Sequence, residues 1–438
     1  MRPNFGRYLS LCASFAILAG GNVCLAQDSG QAKGITVSLT PATLTIGISA
    51  NQQLNAKVSG STNQGVTWKV NGITNGNVTY GTVDPTTQLY FAPAAMPSPV
   101  SFKITATSKA DKTKSASATV TVLSADPLGT VNNVKPITCP AGGVAGGSCQ
   151  QMAIACEGIN NWNTYVKINA PTGTPKGVVI YGVGTGGSGL YDTQFTYGET
   201  AVQNVLNAGF TTVQVSFGGP FSSNAPNGWL TGPGGVRRLA CRYATLAQWV
   251  DTHVLNSITE PLCATGNSGG SSAIAYALSN YGLDRIFSMV ELTSGPPMAR
   301  VDYGCLCQQG TASTPCGQGQ LSYCYGASNA AVIDTAYSQA ICTNAVNGHP
   351  SPIASTLFLS DSIDAPGAVL AFPKTYVNVL YGGQDNSSAV PEGLLWYDKI
   401  NSKKSQACVA DAPHPMANVK DAAIQIANDI ISLCKLQP

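Results

Sequence analysis

Charge is scarce in this chain of 438 residues: Asp, Glu, Lys and Arg together make up 10%, and the formal net charge is +2. No run of like charge stands out, which excludes a basic nucleic-acid face and an acidic tail. Histidine is scarcer still, with three in the whole chain, so any chemistry that needs an imidazole has few places to look. No CxxC pair occurs and no histidine lies near a cysteine cluster, which argues against a structural zinc site. Long hydrophobic runs are missing too, so no segment is read as a transmembrane span. From Gly34 to Leu123 there is not one cysteine.

Turn formers and apolar residues are plentiful, with 47 glycines, 26 prolines and a hydrophobic fraction of 44%. That mixture predicts real cores cut by many turns, and the length favours two domains. Residues 1–26 read as an export signal. Arg2 and Arg7 precede a short apolar stretch from Leu9 to Gly20, and Cys24-Leu25-Ala26 places small residues before a cleavage point at Gln27. A lipid anchor at Cys24 is the rival, and Val23 disfavours it. Of the 14 cysteines, all but Cys12 and Cys24 fall beyond the leader, and an even set in an exported chain reads as disulfides. Cys408 and Cys434, on either side of the His414 loop and the last helix, are expected to pair.

The cysteine-free part, residues 34–124, shows short alternating runs between turn residues: Ile35 to Leu39, Gln53 to Val58, Val66 to Val70, Val100 to Thr107 and Ala116 to Val122. Such spacing predicts a β-sandwich, with Trp68 as a core residue. Pro41, Gly47, Val66 to Val70, Tyr90-Phe91-Ala92-Pro93 and Ala118 to Val122 resemble bacterial Ig-like modules. A spacer and a surface-binding or polymer-binding module are both compatible with this. Residues 125–138 read as a polar, flexible linker, after which the two domains would fold independently.

From 139 to 438 strands alternate with helices. Strands are expected at Gly177 to Tyr181, Thr211 to Phe217, Leu262 to Thr265, Ile286 to Leu292, Thr375 to Tyr381 and Gln406 to Val409. Helices are expected at Thr200 to Ala208, Val236 to Leu255, Ser271 to Ser279 and Val419 to Leu433. This is the pattern of an α/β domain with a mostly parallel sheet covered on both faces. Residues from about 296 to 372, with Cys305, Cys307, Cys316, Cys324 and Cys342, form an insertion of the kind that makes a lid.

The chemical signal is strand, then Gly266-Asn267-Ser268-Gly269-Gly270, then helix. A serine hydroxyl is a weak nucleophile unless a sharp turn exposes it beside a base, and glycines two before and two after allow that turn. The stretch from about Cys156 to Cys434 resembles the α/β-hydrolase superfamily of serine esterases. That resemblance implies the order nucleophile, acid, histidine, and the roles that follow.

Ser268 would attack, and His414, in a loop before the last helix, would be the base. His253 precedes the serine within a helix, and His349 sits in the insertion. Asp385, in the glycine turn after Tyr376 to Tyr381, would orient His414; Glu291 is the second candidate, Asp361 and Asp364 the third. The backbone N–H of Gly269 would hold the oxyanion together with Thr185 or Gly186 from the glycine loop 182–189. As a nucleotide-binding loop that segment is weak, because no acid for a ribose follows.

The serine run also resembles that of trypsin-like proteases, whose histidine precedes the serine in an all-β fold, contrary to the pattern here. Trp229, in the loop 218–235, could stack on a substrate ring or simply pack locally. The expectation is a secreted carboxylic-ester hydrolase with no metal or organic cofactor, acting on an external, polymeric or surface-bound ester. An amidase or peptidase would use the same groups, and an adhesion protein with an inactive hydrolase-like domain is the rival of another class.

Overall fold

The computed structural model describes residues 34–221 and 228–437. The expected leader, 1–26, lies outside the described residues, as does part of the loop 218–235.

Residues Thr36 to Leu123 form sheets of two, five and four strands. Their alternating runs turn one phase inward. In Val66–Val70 the buried residues are Trp68 and Val70, and both join a core with Tyr90, Ile104, Ala118 and Val120. Trp68 thus packs as expected of a core residue, fully buried. The long strands Ser101–Ser108 and Ser115–Leu123 pair antiparallel at the centre.

The rest of the chain is built on one nine-stranded sheet. Its strands are β1 (Thr130–Ile137), β2 (Ser148–Ala155), β3 (Trp162–Asn169), β4 (Val178–Gly182), β5 (Thr211–Phe217), β6 (Leu262–Asn267), β7 (Phe287–Thr293), β8 (Tyr376–Gly382) and β9 (Lys404–Val409). The spatial order is β1-β2-β3-β5-β4-β6-β7-β8-β9. The first three strands pair antiparallel, as does β3 with β5. All pairs from β5 onward are parallel. This is a mixed, mostly parallel sheet, the α/β architecture that the alternation of strands and helices predicts.

Central strands carry side chains buried on both faces, as in β6 and β7, where every residue is buried, and this explains their near-continuous apolar sequence. One face holds the larger core, with helices α2 (Cys241–His253) and α3 (Gly269–Ser279). The other is covered by α1 (Gly198–Asn207) and the amphipathic α4 (Lys420–Leu433).

Two expectations need correction. The stretch read as a flexible linker is largely β1, paired along its length with β2. Most of its side chains are exposed or half-buried, and a bulge between Asn132 and Lys135 breaks its phase. A solvated edge strand lacks the alternation that betrays a half-buried one. The second correction concerns the cysteines. All twelve cysteines among the described residues are bridged, but Cys408 joins Cys316 and Cys434 joins Cys263. Cys263 lies in β6 on the face that α4 covers, so the end of α4 meets the central strand, while β9 at the sheet edge is tied to the insertion. The other bridges are Cys139–Cys149, Cys156–Cys241, Cys305–Cys342 and Cys307–Cys324.

Between β7 and β8 the insertion contains short helices, among them Val301–Leu306 and Ala327–Asp334, and a hairpin of Thr311–Ser313 with Gln320–Ser322.

Candidate active site

Ser268 sits where β6 turns into α3, with φ 54° and ψ −117°. A side chain rarely adopts that region, and the surroundings hold it there. The Ser268 N–H donates to the Thr293 carbonyl at the end of β7 at 2.9 Å. The three glycines around it are steric requirements. A Cβ on Gly266 would come within 2.6 Å of the Gly270 backbone, and one on Gly270 within 2.7 Å of the Val183 carbonyl. On Gly269 it would lie 1.8 Å from the Thr185 carbonyl oxygen. The loop after β4 therefore presses directly on the first turn of α3. As the first residue of that helix, Gly269 has an N–H with no partner one turn back.

His414 and Asp385 come from the loops after β9 and β8. Asp385 Oδ2 accepts from His414 Nδ1 at 2.8 Å. Asp385 is fully buried at its side chain, while that of His414 is one-third exposed. Burial alone would push the Asp385 carboxyl up; the hydrogen bond and charge of His414, with the Ser387 contacts, outweigh it and hold the group below its ordinary value. The Ser387 N–H donates to Asp385 Oδ1 at 3.0 Å, and the Ser387 hydroxyl lies 3.2 Å from His414 Nδ1. With Nδ1 engaged, His414 has Nε2 free. Ser268, His414, Thr185 and Gly269 all line one cavity.

The other candidates lie elsewhere. Glu291, buried within β7, accepts from Asn378 Nδ2 at 3.4 Å, and burial pushes its carboxyl well up. Asp361 receives Asn51 Nδ2 at 2.8 Å and the Tyr337 hydroxyl at 2.6 Å. Asp364 pairs with Lys399. His253 stacks on Trp249 with ring centroids 5.1 Å apart, and His349 lies exposed on the insertion. Of the two loop residues proposed from sequence, Thr185 borders the cavity and Gly186 does not; the Gly186 carbonyl accepts the Trp229 N–H at 2.6 Å.

Trp229 is not a substrate platform. It is 1% exposed, packs edge-on to Tyr276 with centroids 6.4 Å apart, and belongs to the main core. An indole beside glycine-rich backbone buries more area inward than it could offer a ligand.

Sequence reasoning missed the residue joining the two halves of the site. Asn267 Oδ1 accepts from the Met416 N–H at 3.2 Å and from the Thr293 hydroxyl at 3.1 Å, tying the His414 loop to the serine turn. No local signal marks it. Ser387 was more accessible, since an Asp followed two residues later by Ser is a common side-chain-to-backbone turn. The insertion supplies Met298, Tyr325, Val332 and Ile333 to the cavity, and nothing in their spacing announces it.

No family model and no curated protein matches the chain. Among solved structures it is similar to Est1E from Butyrivibrio proteoclasticus with ferulic acid bound, at 12% identity over 64% of this chain and 98% of that one, TM-score 0.39. It is also similar to acetyl xylan esterase 1 from a Thermoanaerobacterium species, at 16% identity over 69% and 88%, TM-score 0.42. A cold-adapted esterase from an Arctic intertidal metagenomic library matches at 12% over 69% and 98%, TM-score 0.37. Identities and scores this low carry neither substrate nor residue roles across.

Proposed function

We propose that this protein is a secreted serine hydrolase that cleaves carboxylic esters through an acyl-enzyme. One observation carries the reading. A buried carboxylate holds Nδ1 of a partly exposed histidine at 2.8 Å, in the cavity that a serine enters from a strained strand-to-helix turn.

In the first half-reaction His414 Nε2 takes the Ser268 proton as Oγ bonds to the carbonyl carbon. Asp385 stabilises the resulting imidazolium and fixes the ring. The Gly269 N–H, at the positive end of α3, and the Thr185 backbone, which the Gly269 contact holds in place, receive the oxyanion. Collapse breaks the bond to the alcohol oxygen, which leaves with the proton from His414. Water then attacks the acyl group and gives its proton to His414, which passes it to Ser268 Oγ as the acyl bond to the serine breaks and the acid is released. Export rests on the leader-like residues 1–26 and on six disulfides, which persist in oxidising compartments.

Labelling with a fluorophosphonate probe tests the reading. The protein should be modified at Ser268 and should hydrolyse p-nitrophenyl acetate, and Ser268→Ala should lose both while its thermal unfolding stays unchanged. An unlabelled, inactive wild-type protein would mean that the fold serves binding and not hydrolysis.

A further inference from the structure

Ser268 and His414 stand between two cavities of different character. On one side lies a pocket of about 60 Å³ whose wall is mainly apolar, made by Pro297, Met298, Tyr325, Val332, Ile333 and Ala389, with the exposed Asn329 as a polar neighbour. The Tyr325 hydroxyl is spent on the Pro297 carbonyl at 2.7 Å, so Tyr325 offers the pocket only its ring. On the other side is a cleft of about 360 Å³ with Ser188, Gln194, Phe195, Asn267 and Asn418 along it.

Among the described residues lining the cleft there is no Lys, Arg, Asp or Glu. Its polarity comes from neutral groups. Asn418 uses its Oδ1 to accept the Thr196 N–H at 2.9 Å, which leaves its amide nitrogen to donate. Asn267 is oriented the same way, its Oδ1 spent on Met416 and Thr293. Phe195 adds an aromatic ring, packed edge-on against Tyr191 with centroids 4.8 Å apart. Neutral donors beside an aromatic ring suit a hydroxyl-bearing alcohol, whereas an anion or cation would lose its hydration with no counter-charge in return.

The order of bond breaking assigns the sides. The alcohol leaves first, while the acyl group is still attached to Ser268, and water must then reach the same carbon past His414. The roomier, polar side serves both movements. The apolar pocket is left for the acyl chain, and its size sets a limit: a cavity that holds benzene measures about 150 Å³. Resting on the function proposed above, we infer that the enzyme takes acyl groups of about two to four carbons, esterified to a neutral polyhydroxy alcohol that lies in the Gln194–Asn418 cleft.

Two substrate series on the full chain test this, run alongside fluorophosphonate labelling. Across p-nitrophenyl acetate, butyrate and octanoate, kcat/KM should fall about tenfold or more between butyrate and octanoate, as misfit methylenes cost in a fixed pocket. Val332→Ala, which enlarges the pocket wall, should raise the octanoate-to-butyrate ratio. Among acetate esters, that of methyl glucoside should exceed those of choline and decanol by about tenfold or more. Octanoate turned over as well as butyrate, an unmoved ratio in Val332→Ala, or no preference for the glucoside ester would overturn the inference. In those cases labelling at Ser268 would leave the hydrolase reading standing; absence of labelling and of all turnover would remove both.

Discussion

At the residue scale the candidate site holds, besides its three proposed catalytic groups, one amide that joins its two halves. Asn267 clips the His414 loop to the serine turn by accepting from Met416 and Thr293. Removing it leaves Ser268, His414 and Asp385 chemically intact but frees the loop that aims the ring. Asn267→Ala should therefore lower kcat by about 10²-fold, the usual penalty for a displacement of about 1 Å. Steady-state kinetics on p-nitrophenyl acetate would show it as a loss in kcat with KM little changed, and a full-rate variant would deny Asn267 a positioning role. The three proposed catalytic residues could be picked from sequence because one serine run has the right flanks and one of three histidines follows it in a suitable loop. Asn267 could not, because its contacts are with residues 26 and 149 positions away.

At the scale of elements, legibility followed burial. Val66–Val70 and Thr211–Phe217 lie where the apolar pattern puts them, since each is fixed by side chains that reach a core. The edge strand β1 was opaque for the opposite reason: with its residues solvated and its phase broken, only its pairing to β2 makes it a strand. The disulfide partners were equally opaque, being set by which face of the sheet each cysteine meets. The insertion offers a test of its own. In its helix Val301–Leu306, a Cβ on Gly304 would fall 2.1–2.4 Å from three ring atoms of Tyr325, whose hydroxyl is anchored and whose ring is buried. Gly304→Ala should cost about 1–3 kcal/mol as overpacking does, measured by urea unfolding. It should also change acyl-chain selectivity, because the displaced ring forms a pocket wall. Unchanged stability would show that the insertion yields without strain.

For the whole molecule, the N-terminal sheets are clamped to the rest. Asp126 and Arg237, both buried, pair at 2.6 Å, and Arg237 also donates to the Ile48 carbonyl at 2.8 Å. Arg238 donates to the Asn51 carbonyl, and Asn51 donates to Asp361 at 2.8 Å. Asp126→Ala leaves a guanidinium buried without its carboxylate, which should cost about 3–5 kcal/mol in chemical denaturation. Cutting the chain near Pro136 would remove both this pair and much of β1, so a truncated form should lose stability, contrary to the independence expected of a free linker.

The buried carboxyls predict the pH dependence. Burial pushes Asp361 up to about 6 and raises Glu291 and Glu392 well above their usual range. The folded chain then holds protons that the unfolded chain has released above about pH 4. That contribution is complete below the unfolded values and fades as pH rises through the folded ones. Asp385, held low, acts in the opposite sense only in stronger acid. The urea midpoint should accordingly be higher near pH 5 than near pH 8, and Glu392→Gln should flatten the slope; a midpoint rising steadily from 5 to 8 would contradict it.

The bridge between Cys263 and Cys434 spans 171 residues and fastens the serine strand to the last helix. A polypeptide emerges from its N-terminus, so the N-terminal sheets are available to collapse early, whereas this bond has no second half until residue 434 exists. Covalent closure of the sheet that carries Ser268 therefore comes late: it waits for the chain through Cys434 and for an oxidant that takes the two thiols to a disulfide.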